Sequence, residues 1–161
     1  MTATGTELQS LHGKVALVTG ASRRIGRATA LGLARHGADV VITARSARDE
    51  IDAVAAEITA MGQRAAVVMG DVADEDDATR MAAEAKSAFG RIDVLVNNAA
   101  IRRQVPMLEM GLKDWREITG VILDGAFLMS REVLRVMTTQ DTGGTIVNIG
   151  GLTGHTGAKN R

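Results

Sequence analysis

Five short apolar runs rich in β-branched residues, at 15–19, 39–43, 65–69, 92–96 and 145–149, alternate with longer amphipathic stretches at 25–36, 48–61, 75–89 and 112–137. The runs are nearly continuous rather than alternating in polarity, which is the pattern of parallel strands covered on both faces. Strand and helix in strict alternation, joined by connections of ordinary length, predict an α/β chain with a doubly wound parallel sheet. Local punctuation agrees. Three helical stretches end at His36-Gly37, Met61-Gly62 and Phe89-Gly90, each shortly before a strand, and glycine takes the left-handed conformation that closes a helix at little cost. Ser46 with Asp49 reads as a capping box for the second helix, and Asp74-Glu75-Asp76-Asp77 loads acid onto the third helix N-terminus.

The first strand runs directly into Thr19-Gly20-Ala21-Ser22-Arg23-Arg24-Ile25-Gly26. Two glycines six apart, with small residues after the first, let backbone approach a ligand, and the helix that follows offers free N–H groups and a positive dipole end. Taken alone, such a turn is equally an ordinary tight strand-to-helix connection; at the first βα junction it points to a dinucleotide pyrophosphate. Arg24 stands where a glycine is expected. After the second strand comes Thr43-Ala44-Arg45-Ser46, with no acid between Val40 and Arg48. An acid here would bind a ribose 2′-hydroxyl, whereas arginine accommodates a 2′-phosphate. Each of Arg23, Arg24 and Arg45 singly is an ordinary surface charge, but three on two loops of one adenosine pocket point to NADP(H). Asp71-Val72 follows the third strand, where Asp71 reads equally as an adenine contact or as a simple helix cap. Asn97-Asn98-Ala99-Ala100 follows the fourth, small and polar as a ligand crevice requires.

At 161 residues the chain is long enough for one domain spanning 1–161, with 1–12 expected as a flexible tail. Its 19 basic and 19 acidic residues balance, which argues against nucleic acid or an anionic membrane as partner. With no cysteine, disulfides and thiolate metal sites are excluded, no metal site is expected, and a reducing cytoplasm is the natural compartment. The polar N-terminus lacks a signal-peptide core, and no apolar run approaches the roughly 18 residues of a membrane span.

Together, Thr-Gly-x-x-x-x-x-Gly after the first strand, Asp-Val after the third and Asn-Asn-Ala-Ala after the fourth resemble the short-chain dehydrogenase/reductase family. Gly13-Lys14-Val15-Ala16-Leu17-Val18 and Asp124-Gly125-Ala126-Phe127 fit as well, so the resemblance covers residues 12–151. It is closest to the 3-oxoacyl-[acyl-carrier-protein] reductase-like branch and implies a Rossmann-type sheet. By this resemblance Gly20, Ser22, Arg23, Ile25 and Gly26 line the pyrophosphate and adenosine ribose, and Arg45 and Ser46 face the 2′-phosphate. Asp71 and Val72 face the adenine, Asn98, Ala99 and Ala100 the inner ribose, and Arg24 adds to a preference for NADP(H) over NAD(H). The implied activity is hydride transfer between nicotinamide and a keto or hydroxy group of a small metabolite or acyl thioester, in a homo-oligomer (dimer or tetramer) built through the long fourth helix.

The family's asparagine, serine, tyrosine and lysine are the departure. The asparagine position falls on Ile122 and the serine position on Gly151, and the chain has no tyrosine. Thr153 is the candidate stand-in for the serine, with Thr156 the other hydroxyl nearby; His155 and Lys159 read as ordinary loop residues. Because family members continue past the fifth strand with further strands and a substrate lid, the chain is expected to be truncated there. The alternative reading is a catalytically silent dinucleotide-binding protein, and a weaker third is a structural partner subunit.

Overall fold

The apolar runs become five parallel strands: β1 Val15–Val18, β2 Asp39–Ala44, β3 Ala65–Met69, β4 Val94–Asn97 and β5 Thr145–Asn148. They form one sheet in the order β3-β2-β1-β4-β5, in a computed structural model that describes residues 11–151, 156 and 157. The sheet is the doubly wound α/β arrangement expected from the alternation. Side-chain alternation assigns each strand to two cores. Val15 and Leu17 of β1 and Val41 of β2 join one cluster with Met81 and Ala85 of α3 (Glu75–Phe89) and Met129 and Val133 of α5 (Gly125–Met137). Val18, Val40 and Ile42 join the other, with Ala30 and Leu31 of α1 (Arg24–Arg35) and Ile51 and Ile58 of α2 (Arg48–Ala60). Each face of the sheet thus carries two helices, which is why β1 and β2 are buried almost throughout. The edge strand β5 is mostly exposed.

Gly37, Gly62 and Gly90 all take positive φ at the helix ends, as the local pattern requires. Asp74 caps α3 by accepting the Asp77 N–H at 2.9 Å. The capping box expected at Ser46 and Asp49 does not form. Ala47 is the N-cap of α2 and no side chain caps it: the helix starts one residue later than the box requires, which puts Asp49 at the second helical position rather than the third. The helix expected over 112–137 is helical throughout but interrupted: α4 (Leu112–Thr119) passes into a π-helical segment at Gly120–Asp124 before α5 begins. The tail expected to reach residue 12 is already docked at Leu11, whose N–H donates to the His36 carbonyl at 2.7 Å.

The chain winds from β1 to β2 and β3 on one side, then returns to the other at β4. Connections leaving β1 and β4 therefore diverge, opening a crevice at their carboxyl ends, the place where ligands settle on such sheets.

Candidate functional site

Thr19 organises that crevice. It is buried, and its hydroxyl donates to the Val96 carbonyl at 3.3 Å while accepting the N–H groups of Asn98 and Ala99, both at 3.0 Å. Asn98 answers through its side-chain amide, which donates to the carbonyls of Thr19 at 2.8 Å and Gly20 at 3.0 Å. The Ala21 N–H donates to the Thr43 carbonyl at 2.9 Å, tying the turn to the end of β2. The first turn and the Asn97–Ala100 segment are thus one hydrogen-bonded unit.

Glycine is required at two points of it. Gly20 has φ +63° and lies so close to Ala99 that a Cβ would stand 2.9 Å from the Ala99 Cα. At Gly26 a Cβ would strike the Gly20 carbonyl oxygen and the Asn98 amide nitrogen. Backbone is packed on backbone here, leaving the start of α1 uncluttered. Arg23 is the N-cap in extended conformation, no side chain caps α1, and its first turn contains no acid. Arg24 has φ +50°, a value otherwise confined to glycines among the described residues. It occupies the glycine position with a glycine's backbone, while Arg23, Arg24 and Ile25 remain exposed.

Arg45 and Asp71, assigned separate roles by the sequence pattern, are brought together: an Arg45 guanidinium nitrogen lies 3.3 Å from Asp71 Oδ2. The other oxygen, Oδ1, accepts the Ala73 N–H at 3.0 Å, a side-chain turn. The Asp71 N–H donates to Asp77 Oδ2 at 2.8 Å; that bond, followed by those from Arg80, holds the Asp77 carboxyl below the usual carboxylate range. Asp71 is therefore a local turn residue as well as the partner of Arg45. Val72 is buried and meets Gly125, where a Cβ would stand 2.7 Å from a Val72 methyl. Ser46 is exposed beside Arg45.

Beyond the turn lies a cavity of about 1000 Å³, walled by Thr19, Asn98, Ala99 and Ala100 on one side and by Ile122, Gly125 and Gly151 on the other. Among the described residues, Arg102 and Arg103 are the charged members of its wall and no carboxylate lines it. Arg103 is anchored by Asp114 and by Glu117 at 2.9 Å, bonds that tether the 98–111 connection to α4. Ile122 sits in the π-helical segment and is 46% exposed, so its apolar side chain faces the open cavity rather than the core.

Three parts of the site carried signals the sequence pattern left unused. Thr19 is the hub of the unit, not merely the residue before a glycine. Asn97 donates to Ser130 Oγ at 2.9 Å and Asn148 Oδ1 at 2.8 Å, joining β4, β5 and α5, while its own Oδ1 is buried with no hydrogen-bond partner among the described residues. Gly120 and Gly125, spaced five apart, bracket the π-helical segment. Thr153, with His155 and Lys159, lies outside the described residues; Thr156 lies within them.

The model of the family described as short chain dehydrogenase matches residues 14–161. Among curated proteins, the chain is 41% identical to a 3-oxoacyl-[acyl-carrier-protein] reductase of Synechocystis over 155 residues, covering 95% of this chain and 63% of that protein. It is 40% identical to an L-rhamnose 1-dehydrogenase (NAD(P)(+)) of Sphingomonas, covering 94% of this chain and 60% of the relative. A solved short-chain dehydrogenase from Burkholderia cenocepacia, in complex with NADP, superimposes with a TM-score of 0.87 at 36% identity, covering 93% of this chain and 60% of that one. The chain thus spans about three fifths of the length of the relatives it matches.

Proposed function

The chain belongs to the short-chain dehydrogenase family, and from that premise we propose that it is the dinucleotide-binding part of an NADP(H)-dependent oxidoreductase. The observation that carries this reading is the glycine cradle: Gly20 and Gly26 are packed so closely against Ala99 and Asn98 that only backbone fits, directly before an uncapped helix start. Such a surface accepts a pyrophosphate through N–H groups and the helix dipole. Arg23, Arg24 and Arg45 stand at the adenosine end without a nearby acid on β2, which favours a 2′-phosphate. Ser22 and Ile25 complete that turn, with Ser46, Asp71 and Val72 at the adenosine end and Asn98, Ala99 and Ala100 toward the inner ribose. The nicotinamide supplies hydride chemistry when bound. The chain's own residues hold the dinucleotide along the edge of β1 and β4 and leave the cavity beyond for a keto or hydroxy compound, a small metabolite or acyl thioester.

A second reading, a silent dinucleotide binder, rests on Ile122 and Gly151. Both line the cavity, and neither side chain can move a proton or hold a water. Exposed Leu123, Phe127 and Leu134 along the π-helical segment and α5 suit packing on a second copy, and we place the contact of a homo-oligomer there. No helix among the described residues is long and apolar enough to cross a membrane, and the lack of cysteine suits a reducing cytoplasm.

Titration of the folded chain with NADPH and NADH, followed by nucleotide fluorescence, tests the proposal. NADPH is expected to bind about tenfold tighter or more, the worth of one partly exposed charge-assisted contact. No binding of either would refute both readings, and tighter NADH would refute the preference. NADPH oxidation with a panel of keto compounds, assayed in the full-length protein because this chain alone is expected to be inactive, separates them: binding without turnover there selects the silent protein.

A further inference from the structure

We infer that Asp71 is a resident counter-ion that competes with a cofactor 2′-phosphate for Arg45, and so limits the preference of the site for NADP(H). The inference rests on the dinucleotide reading above and concerns two residues of this chain that are far apart in sequence. Arg45 follows the last residue of β2 and Asp71 lies two residues past β3. The strands are adjacent, parallel and paired with Ala44 opposite Met69, so both side chains leave the same edge of the sheet. The Gly70 N–H, donating to the Ala44 carbonyl at 3.1 Å, keeps the two loops side by side.

The carboxylate of Asp71 is divided between two tasks. Oδ1 closes the local turn on the Ala73 N–H, while Oδ2 faces Arg45. The residue cannot follow a moving partner, because its own N–H is held by Asp77 and its Oδ1 by the turn. Arg45 is the mobile member, with its side chain 55% exposed against 31% for Asp71. An exposed single-contact pair is weak, and phosphate oxygens offer arginine a stronger charge-assisted and bidentate partner. Arg45 therefore turns to a 2′-phosphate when one is present. Doing so strips Asp71 Oδ2 of its cation and leaves two anions as neighbours. An unphosphorylated ribose makes no such demand, so Arg45 stays on Asp71. The penalty falls on NADP(H) alone.

The adenosine halves of the two cofactors, 2′,5′-ADP and 5′-AMP, isolate this effect from any turnover. Their dissociation constants are measured by calorimetry for the chain and for Asp71→Asn, which retains an oxygen acceptor for the Ala73 N–H but not the charge. The ratio of affinities, 2′,5′-ADP over 5′-AMP, is the readout, since any shared adenine contact cancels in it. The ratio is expected to rise about three- to tenfold in Asp71→Asn, and less than about twofold when Arg45→Ala is already present. Asp71→Ser, whose hydroxyl also accepts from the Ala73 N–H, carries the same expectation should the asparagine variant not fold. An unchanged ratio, or an equal rise with and without Arg45, overturns the competition. If the unaltered chain binds neither probe, the dinucleotide reading itself falls and this inference with it. If it binds both and only the ratio fails to respond, the inference alone falls.

Discussion

Arg24 holds a backbone conformation that a glycine would adopt without strain. At φ +50° it is in the left-handed region, where a Cβ crowds the following carbonyl. Nothing in its immediate contacts offsets this, since its side chain is exposed and makes no hydrogen bond or ion pair among the described residues. The compensation we assign is functional: a cation at the start of α1, beside Arg23, facing the place of a 2′-phosphate. Arg24→Gly separates the two sides. Relief of the left-handed strain, about 1–2 kcal/mol, is offset by about half through the greater freedom of glycine in the unfolded chain, about 0.4–1 kcal/mol. Stability in urea is therefore expected to stay within about 1 kcal/mol of the unaltered chain. Affinity for NADPH is expected to fall roughly tenfold with NADH unchanged. Equal losses for both nucleotides would show that Arg24 shapes the turn rather than choosing the cofactor.

At the scale of elements, α3 is the described helix that starts with a side-chain cap, while α1, α2 and α4 start without one. α3 begins at Asp74, whose carboxylate accepts the Asp77 N–H; α1 begins at Arg23 with no side-chain cap. The cap on α3 serves stability, and the open N–H groups of α1 lie directly after the glycine cradle. Asp74→Ala is accordingly expected to cost about 1 kcal/mol in urea unfolding while leaving nucleotide affinity untouched. A loss of affinity in that variant would contradict the division of labour. The same division explains what the sequence made legible. Strand runs, glycine helix ends and the acid-rich start of α3 are local, so periodicity and turn chemistry reveal them. The glycine pair at 20 and 26 was also readable, because the turn it builds is local. The Arg45–Asp71 pair, the Thr19 hub and the Asn97–Ser130–Asn148 links join residues 26 to 80 positions apart, and no local pattern encodes them. The missing capping box at Ser46 is the converse case: the side-chain signal was present, but the helix starts one residue later, with Ala47 as its N-cap. The π-helical segment lacked a periodic signature because its single turn sits inside an otherwise helical run.

Across the whole molecule, the two edges of the sheet have opposite duties. The carboxyl ends of the strands hold the glycine cradle and cavity, whereas the amino ends are locked by buried acid. Asp93, 6% exposed, accepts the Val15 N–H at 3.0 Å and two bonds from Arg91, at 2.7 and 2.5 Å, with Lys14 at 3.4 Å. Burial opposes its ionisation, but the bonds from Arg91 and Val15 together outweigh it and hold the carboxyl below its ordinary value. Asp39 is in the same position against Arg64, where burial is again outweighed by the guanidinium and backbone bonds. Because both folded values lie below the unfolded ones, these carboxylates contribute stability that is fully present above about pH 4. That contribution is lost as pH falls through the folded values. Asp93→Asn is expected to lower unfolding free energy at pH 7 by roughly 1.5–3 kcal/mol, the range for hydrogen bonds to a charged group. The gap between the two proteins is expected to close as the solution is acidified below about pH 4, because the unaltered carboxyl then becomes neutral too. NADPH affinity is expected to be unchanged, since Asp93 lies at the far edge from the cradle. Urea unfolding at a series of pH values, with nucleotide titration at neutral pH, checks both halves. A gap that stayed constant on acidification would assign Asp93 a packing role and remove its charge from the account of stability.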